Sequence, residues 1–113
     1  MKITENSLKR NKYIREVRES ETHNDWYACT WTKLISDETG KKYTIEITEY
    51  DIGKLEQFGF PKYNCKASFF RKDYRESFTV SYSGDSESTK LKDIENFFDE
   101  VWIKMSCQYD YED

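Results

Sequence analysis

Proline is nearly missing from this 113-residue sequence, occurring once at Pro61, and only four glycines and a single histidine accompany it. Disordered chains are usually rich in proline and glycine and poor in rings, so this scarcity points to a backbone committed to regular structure. Apolar residues are also few, at 36%, with a mean hydropathy of -0.99. No apolar run reaches the roughly 18 residues of a membrane-spanning helix. The opening MKITENSLKR lacks the apolar stretch of a secretory signal. These absences lead to the expectation of a cytoplasmic protein without a membrane partner.

The shortage of histidine limits chemistry in the same way. A serine nucleophile in Ser83-Gly84-Asp85-Ser86 would need a general base, and His23 lies sixty residues earlier in a polar stretch. A strand-to-helix turn with a helix cap accounts for that segment more simply. Cys29, Cys65 and Cys107 are odd in number and widely separated, unlike a disulfide framework. A Cys3His zinc site with His23 would call for closely spaced cysteine pairs, which are missing. The cysteines are therefore expected to be reduced core residues, with no metal and no cofactor. Thr39-Gly40-Lys41-Lys42 has Ile35 where a phosphate loop needs its first glycine. Glu46, Glu49 and Asp51 read as solvated strand carboxylates. No enzyme is expected.

Aromatic residues are what the chain does have, with three Trp, nine Tyr and seven Phe making up 17%. Each buries on the order of 150–250 Å², enough for a single core built largely from rings. A chain of this length is expected to form one domain over residues 1–113, with about the first 12 and last 5 residues loosely held.

Periodicity orders that domain. Residues 26–35 are rich in Trp, Tyr and Thr and place Tyr27, Cys29, Trp31 and Ile35 on one strand face, interrupted by Lys33. Residues 41–50 alternate with Tyr43, Ile45 and Ile47 on one side. Asp37-Glu38-Thr39-Gly40 between them suits a type I turn with a bulge. Ile52, Leu55 and Phe58 recur at helical spacing, with Asp51 as cap and Gly59 and Pro61 as stop. Alternation returns in residues 63–70, with Tyr63, Cys65, Ala67 and Phe69 on one face, and in residues 76–82, with Phe78, Val80 and Tyr82 on one face. Leu91, Ile94, Phe97, Phe98, Val101, Trp102 and Met105 fall within an arc of about 140° on a helix. Tyr13, Ile14 and Val17 fit a strand near residues 13–19 or a short helix. The expected fold is α+β: an antiparallel sheet of four or five strands, made of two hairpins joined by a short helix, with a long C-terminal helix packed on one face. The other face would present Thr30, Thr32, Thr44, Thr48, Lys66 and Ser68 with Trp26, Tyr50 and Phe70, a surface suited to a partner or to a homodimer.

Charge is unevenly distributed. The last thirty residues hold nine acids against three bases, a balance of -6 in a chain whose total is -4. Asp93, Asp99 and Glu100, with the apolar Ile103, would share one side of the C-terminal helix. Tyr109, Asp110, Tyr111, Glu112 and Asp113 form an acidic aromatic tail. Together they would dock on a basic groove of a protein partner, such as a nucleic-acid-binding host complex. The opposite charge gathers at Lys66, Arg71, Lys72 and Arg75, which with Phe70 and Tyr74 have the composition of a base-stacking, phosphate-neutralising hairpin. An isoelectric point near 5.1 weakens that alternative. The leading expectation is a non-catalytic acidic protein that binds and inhibits or modulates a macromolecular partner, in the manner of phage or mobile-element anti-defence (anti-CRISPR-like) proteins acting in the host cytoplasm. A nucleic-acid-binding protein is the alternative, and a chaperone or immunity protein the third.

Overall fold

Asp37 builds the turn on which the sheet's register rests. Its Oδ1 accepts the Thr39 N–H at 2.9 Å, the Thr39 hydroxyl at 2.6 Å and the Lys41 N–H at 3.2 Å, and these contacts hold its carboxyl below the usual carboxylate range, the Thr39 hydroxyl above all. Gly40 completes the reversal at φ +93°, a left-handed conformation that favours a residue without a Cβ. The turn joins β2 (Tyr27–Ser36) to β3 (Lys42–Tyr50), as the Asp and Gly positions led one to expect. The computed structural model covers residues 2–16, 27–50, 62–71, 76–84, 86 and 89–110, with the backbone alone for residues 27, 28, 71 and 106–110. Trp26, His23, the short helix expected over residues 51–58, Lys72, Tyr74, Arg75, Tyr111, Glu112 and Asp113 lie outside the described residues.

Three further strands complete the sheet: β1 (Ile14–Glu16), β4 (Tyr63–Arg71) and β5 (Glu76–Ser81). The order is β1-β2-β3-β4-β5, so every strand pairs antiparallel with its neighbour in sequence. One row across the sheet runs Trp31, Ile47, Cys65, and another runs Ile35, Tyr43, Phe69, Phe78. Because side chains alternate along a strand, these rows line one face, and its central members are buried. Tyr27 departs from the expected alternation. The register shifts between Tyr27 and Cys29, so Tyr27 pairs with Tyr50 while Cys29 pairs with Glu49. An extra residue in one strand of a pair breaks the two-residue period.

Among the described residues, two helices close over that face. The C-terminal one, α2, spans Leu91–Asp110; its Leu91, Ile94, Phe98 and Met105 are buried, and Phe97, Val101 and Trp102 pack at the margin of the core. Trp102 stacks on Tyr43 at 6.3 Å, and Tyr43 on Phe69 at 4.9 Å. The helix cap expected within Ser83-Gly84-Asp85-Ser86 does not come from Ser86: its hydroxyl donates to the Tyr63 carbonyl at 2.6 Å, and the first intrahelical bonds go to the Lys90 carbonyl.

The second helix, α1 (Glu5–Arg10), lies ahead of the strand expected near residues 13–19, part of which forms as β1, in a stretch for which no element was expected. Thr4 and Ser7 cap its start reciprocally, each side chain accepting the other's backbone N–H. Its end is a Schellman turn: Lys12 N donates to the Lys9 carbonyl and Tyr13 N to the Leu8 carbonyl. Lys12 occupies the left-handed position at φ 68°. Leu8 and Tyr13, which bracket this turn, are both buried in the common core.

Candidate functional site

Folding draws two of the acids that the sequence sets apart, Glu95 and Asp99, into ion pairs with the sheet. Glu95, on the inner side of α2, accepts the Lys33 ammonium at 2.8 Å and the Tyr13 hydroxyl at 3.2 Å. Asp99 accepts the Tyr43 hydroxyl and, at 3.3 Å, the Lys41 ammonium. Burial first, and the adjoining carboxylate second, hold both phenols protonated far above the ordinary tyrosine range. Asp99, expected to face a partner, therefore belongs to the helix-sheet joint. Asp93, Glu100 and Ile103 are exposed on α2, but so are Lys92 and Lys104, whose spacing puts them on the same stripe. Two lysines beside two acids make that stripe mixed in charge rather than acidic. Tyr109 and Asp110 end α2, and only their backbone is described.

The basic hairpin is split between the two sheet faces. Phe69 is fully buried and Tyr63 nearly so, whereas Lys66, Ser68 and Phe70 alternate onto the second face. Lys66 lies 3.9 Å from Glu46, its cross-strand neighbour. Arg71 pairs in register with Glu76.

The second face carries Thr32, Thr44, Lys66, Ser68 and Phe70 together, as alternation led one to expect, and adds Ile14 and Leu34, which sequence reasoning left out. One row across it reads Ile14, Thr32, Glu46, Lys66, Ser81, and the next reads Leu34, Thr44, Ser68, Thr79. Phe70 and Ser77 begin a third. Ile14 is 66% exposed, Leu34 58% and Phe70 54%. Thr30 and Thr48, expected at the surface, face one another in register and are buried, so the exposed part of this face is the portion around Ile14, Leu34 and Phe70. Phe70 was legible from alternation alone. Leu34 had the same signal, being out of phase with Trp31, but Ile14 joins the face only through its pairing with Thr32.

A cleft of about 430 Å³ opens at the other end of the sheet, between the segment leading into α1 and the ends of β3 and β4. Lys2, Lys62, Glu5 and Glu49 line it beside Tyr63. Tyr63 stands opposite Glu49 in register, and burial with the Glu49 charge pushes its phenol up to about 12. Glu49 also stands opposite Cys29. Burial raises the Cys29 thiol, the nearby Arg15 guanidinium opposing it. At neutral pH the thiol and the phenol are both protonated, which leaves neither as an anionic nucleophile. Among the described residues no group of three or more His, Cys, Asp or Glu could hold a metal ion, and no helix is long and apolar enough to cross a membrane. Comparison with protein-family models, with curated proteins and with solved structures found no match.

Proposed function

We propose that this is a non-catalytic binding protein of the cytoplasm that occupies a protein partner, inhibiting or modulating it, through the second face of its sheet. The observation that carries the reading is the exposure of Ile14, Leu34 and Phe70, each more than half open to solvent on one face. Large apolar side chains standing among hydroxyls on one face resemble the anchors of a protein interface, where rings and aliphatics bury while polar neighbours supply hydrogen bonds. The partner would offer apolar pockets to Leu34 and Phe70 and hydrogen-bonding groups to Thr32, Thr44 and Ser68. An anti-defence inhibitor carried by a phage or mobile element is the specific form of this role suggested by a short, acidic chain without catalytic motifs. The exposed stripe of α2, with Asp93, Glu100 and Ile103, is a second contact at most, because its lysines dilute its charge.

The exposed Phe70 ring, with Lys66 on the same face, sustains a nucleic-acid reading as the alternative. Glu16 and Glu46 share that face and oppose a phosphate backbone.

Photo-crosslinking in cells discriminates between them. A crosslinking residue at Leu34 or Phe70 should capture a protein, and one at Ile103 should capture less. Leu34→Ser with Phe70→Ser should abolish capture without loss of fold. Asp93→Lys with Glu100→Lys should weaken it by less than about tenfold, through slower charge-steered association. Capture from Ile103 alone would return the contact to the helix. Salt-sensitive binding of single-stranded nucleic acid, lost with Phe70→Ser, would establish the alternative.

A further inference from the structure

The two edges of the sheet are guarded unequally. β1 is three residues long and carries Arg15 and Glu16, and short, charged strands resist pairing with other chains. β5 is six residues long, contains neither proline nor glycine, and bears one charge, Glu76, at its end. Its Phe78, Thr79 and Val80 favour extended backbone. Among the described residues no strand lies on its outer side.

The hydrogen-bond phase of that edge follows from one bond. Tyr82 N donates to the Cys65 carbonyl at 2.8 Å, continuing the register in which Val80 faces Ala67 and Phe78 faces Phe69. Pairs that exchange bonds alternate with pairs that do not. Glu76, Phe78 and Val80 therefore direct their backbone groups to β4, and Ser77, Thr79 and Ser81 direct theirs outward.

We propose that β5 pairs antiparallel with β5 of a second copy of this chain, with Thr79 on the two-fold axis, to form one continuous sheet across a homodimer. In that register Thr79 faces Thr79 of the second copy and Ser77 faces Ser81, and each of these outward pairs exchanges two hydrogen bonds. Sliding the strands by two residues, the smallest shift that keeps the faces matched, loses one of the pairs. On the inner face Phe78 meets Val80 of the second copy. Both are only partly buried at the margin of a single chain's core, and an aromatic ring beside a β-branched side chain is a stabilising cross-strand pair. On the other face hydroxyls meet hydroxyls. Glu76 stands opposite Tyr82, so no like charges face each other. A strand whose outward groups, apolar pairs and charges all match under two-fold rotation is self-complementary, as an isologous interface must be. This edge borders the face assigned to a partner above, with Ser77, Thr79 and Ser81 on its margin; because the dimer is read from chain mass and the partner from capture at Leu34, the two proposals fail independently.

Sedimentation of the full chain over a wide concentration range tests the pairing. The wild type should approach twice the chain mass of 13.7 kDa. Thr79→Pro removes an N–H that serves only the outer side, a change edge strands tolerate, and Thr79→Lys sets two ammonium groups face to face. Each should raise the dimer dissociation constant by about tenfold or more, with the circular dichroism spectrum unchanged. Should the proline variant fold poorly, the lysine variant decides. A wild type of single-chain mass throughout would overturn the proposal. So would a dimer that survives Thr79→Lys, or β5 amides protected only when a different protein is added.

Discussion

Lys33 and Glu95 meet at 2.8 Å across the joint between β2 and α2, with the ammonium also lying 5.2 Å from the centre of the Tyr13 ring. The strand β2 and the turn between α1 and β1 thus converge on one carboxylate of α2, and the lysine that interrupts the apolar face of β2 is satisfied there. A charge drawn partly out of water is costly once its partner is removed. Glu95→Ala should destabilise the protein by about 2–3 kcal/mol, since it strands both the ammonium and the Tyr13 hydroxyl. Lys33→Met with Glu95→Leu should cost less than that single change. Urea unfolding of both variants checks the order, and equal losses would show that the charge pair contributes little beyond its bulk.

Phe98 and Trp102 differ in what they contribute. Phe98 is fully buried and Trp102 only partly, so Phe98→Ala should cost about 3–5 kcal/mol and Trp102→Ala roughly half as much. Ile103→Ala, at an exposed position, should stay within about 0.5 kcal/mol. Equal costs for Phe98 and Trp102 in denaturant unfolding would contradict the packing described for α2.

Lys12 holds a backbone conformation that side chains disfavour. Lys12→Gly should stabilise the protein by about 0.5–1 kcal/mol, since the left-handed end of α1 suits glycine. A lower thermal midpoint would show that the lysine side chain makes a contact worth more than the strain.

Alkali should unfold the protein through its buried phenols and thiols. Tyr63 and Cys65 are each pushed up to about 12, from 10 and 9, burial being the first cause in both. A folded-state value above the unfolded one gives stability that is complete below the unfolded value and lost as pH rises toward the folded one. Stability should therefore hold to about pH 9 and fall between about pH 9 and pH 12. Tyrosinate absorbance should rise together with unfolding rather than before it. Full ionisation of all nine tyrosines in a still-folded protein would contradict the burial of Tyr13, Tyr43 and Tyr63.

Cys29 and Cys65 are buried free thiols. Both should react with a thiol reagent at least about a hundredfold more slowly in the native protein than in denaturant, because access and thiolate formation are suppressed together. Fast native labelling of Cys65 would place it at the surface.

The sequence announced the parts of the fold that depend on local pattern. Asp37 and Gly40 mark the hairpin because each does its work within four residues, and the stripe from Leu91 to Met105 repeats often enough to define a helix. The start of α1 was obscure because Ser7 takes the position where a capping box usually has Glu or Gln, and its end because Lys12 stands where glycine is expected. The break at Tyr27 depends on an unpaired residue that alternation cannot register. The structural role of two acids was hidden for a different reason. Glu95 and Asp99 find their partners at Lys33, Lys41 and Tyr43, more than fifty positions earlier in the chain, and a count of charge along a sequence is blind to such meetings. Lys33 was the one available hint, since a lysine on a buried face calls for a carboxylate from elsewhere.

The sequential order of the strands has a bearing on synthesis. Each strand finds its partner in the segment made just before or after it, so the ladder can assemble as the chain emerges, with little loop-closure entropy to overcome. The covering helix is encoded after all five strands. Until residues 91–105 leave the ribosome, a sheet bearing Trp31, Ile45, Ile47 and Phe69 has one apolar side without its main cover. That interval is when the nascent chain most needs a chaperone.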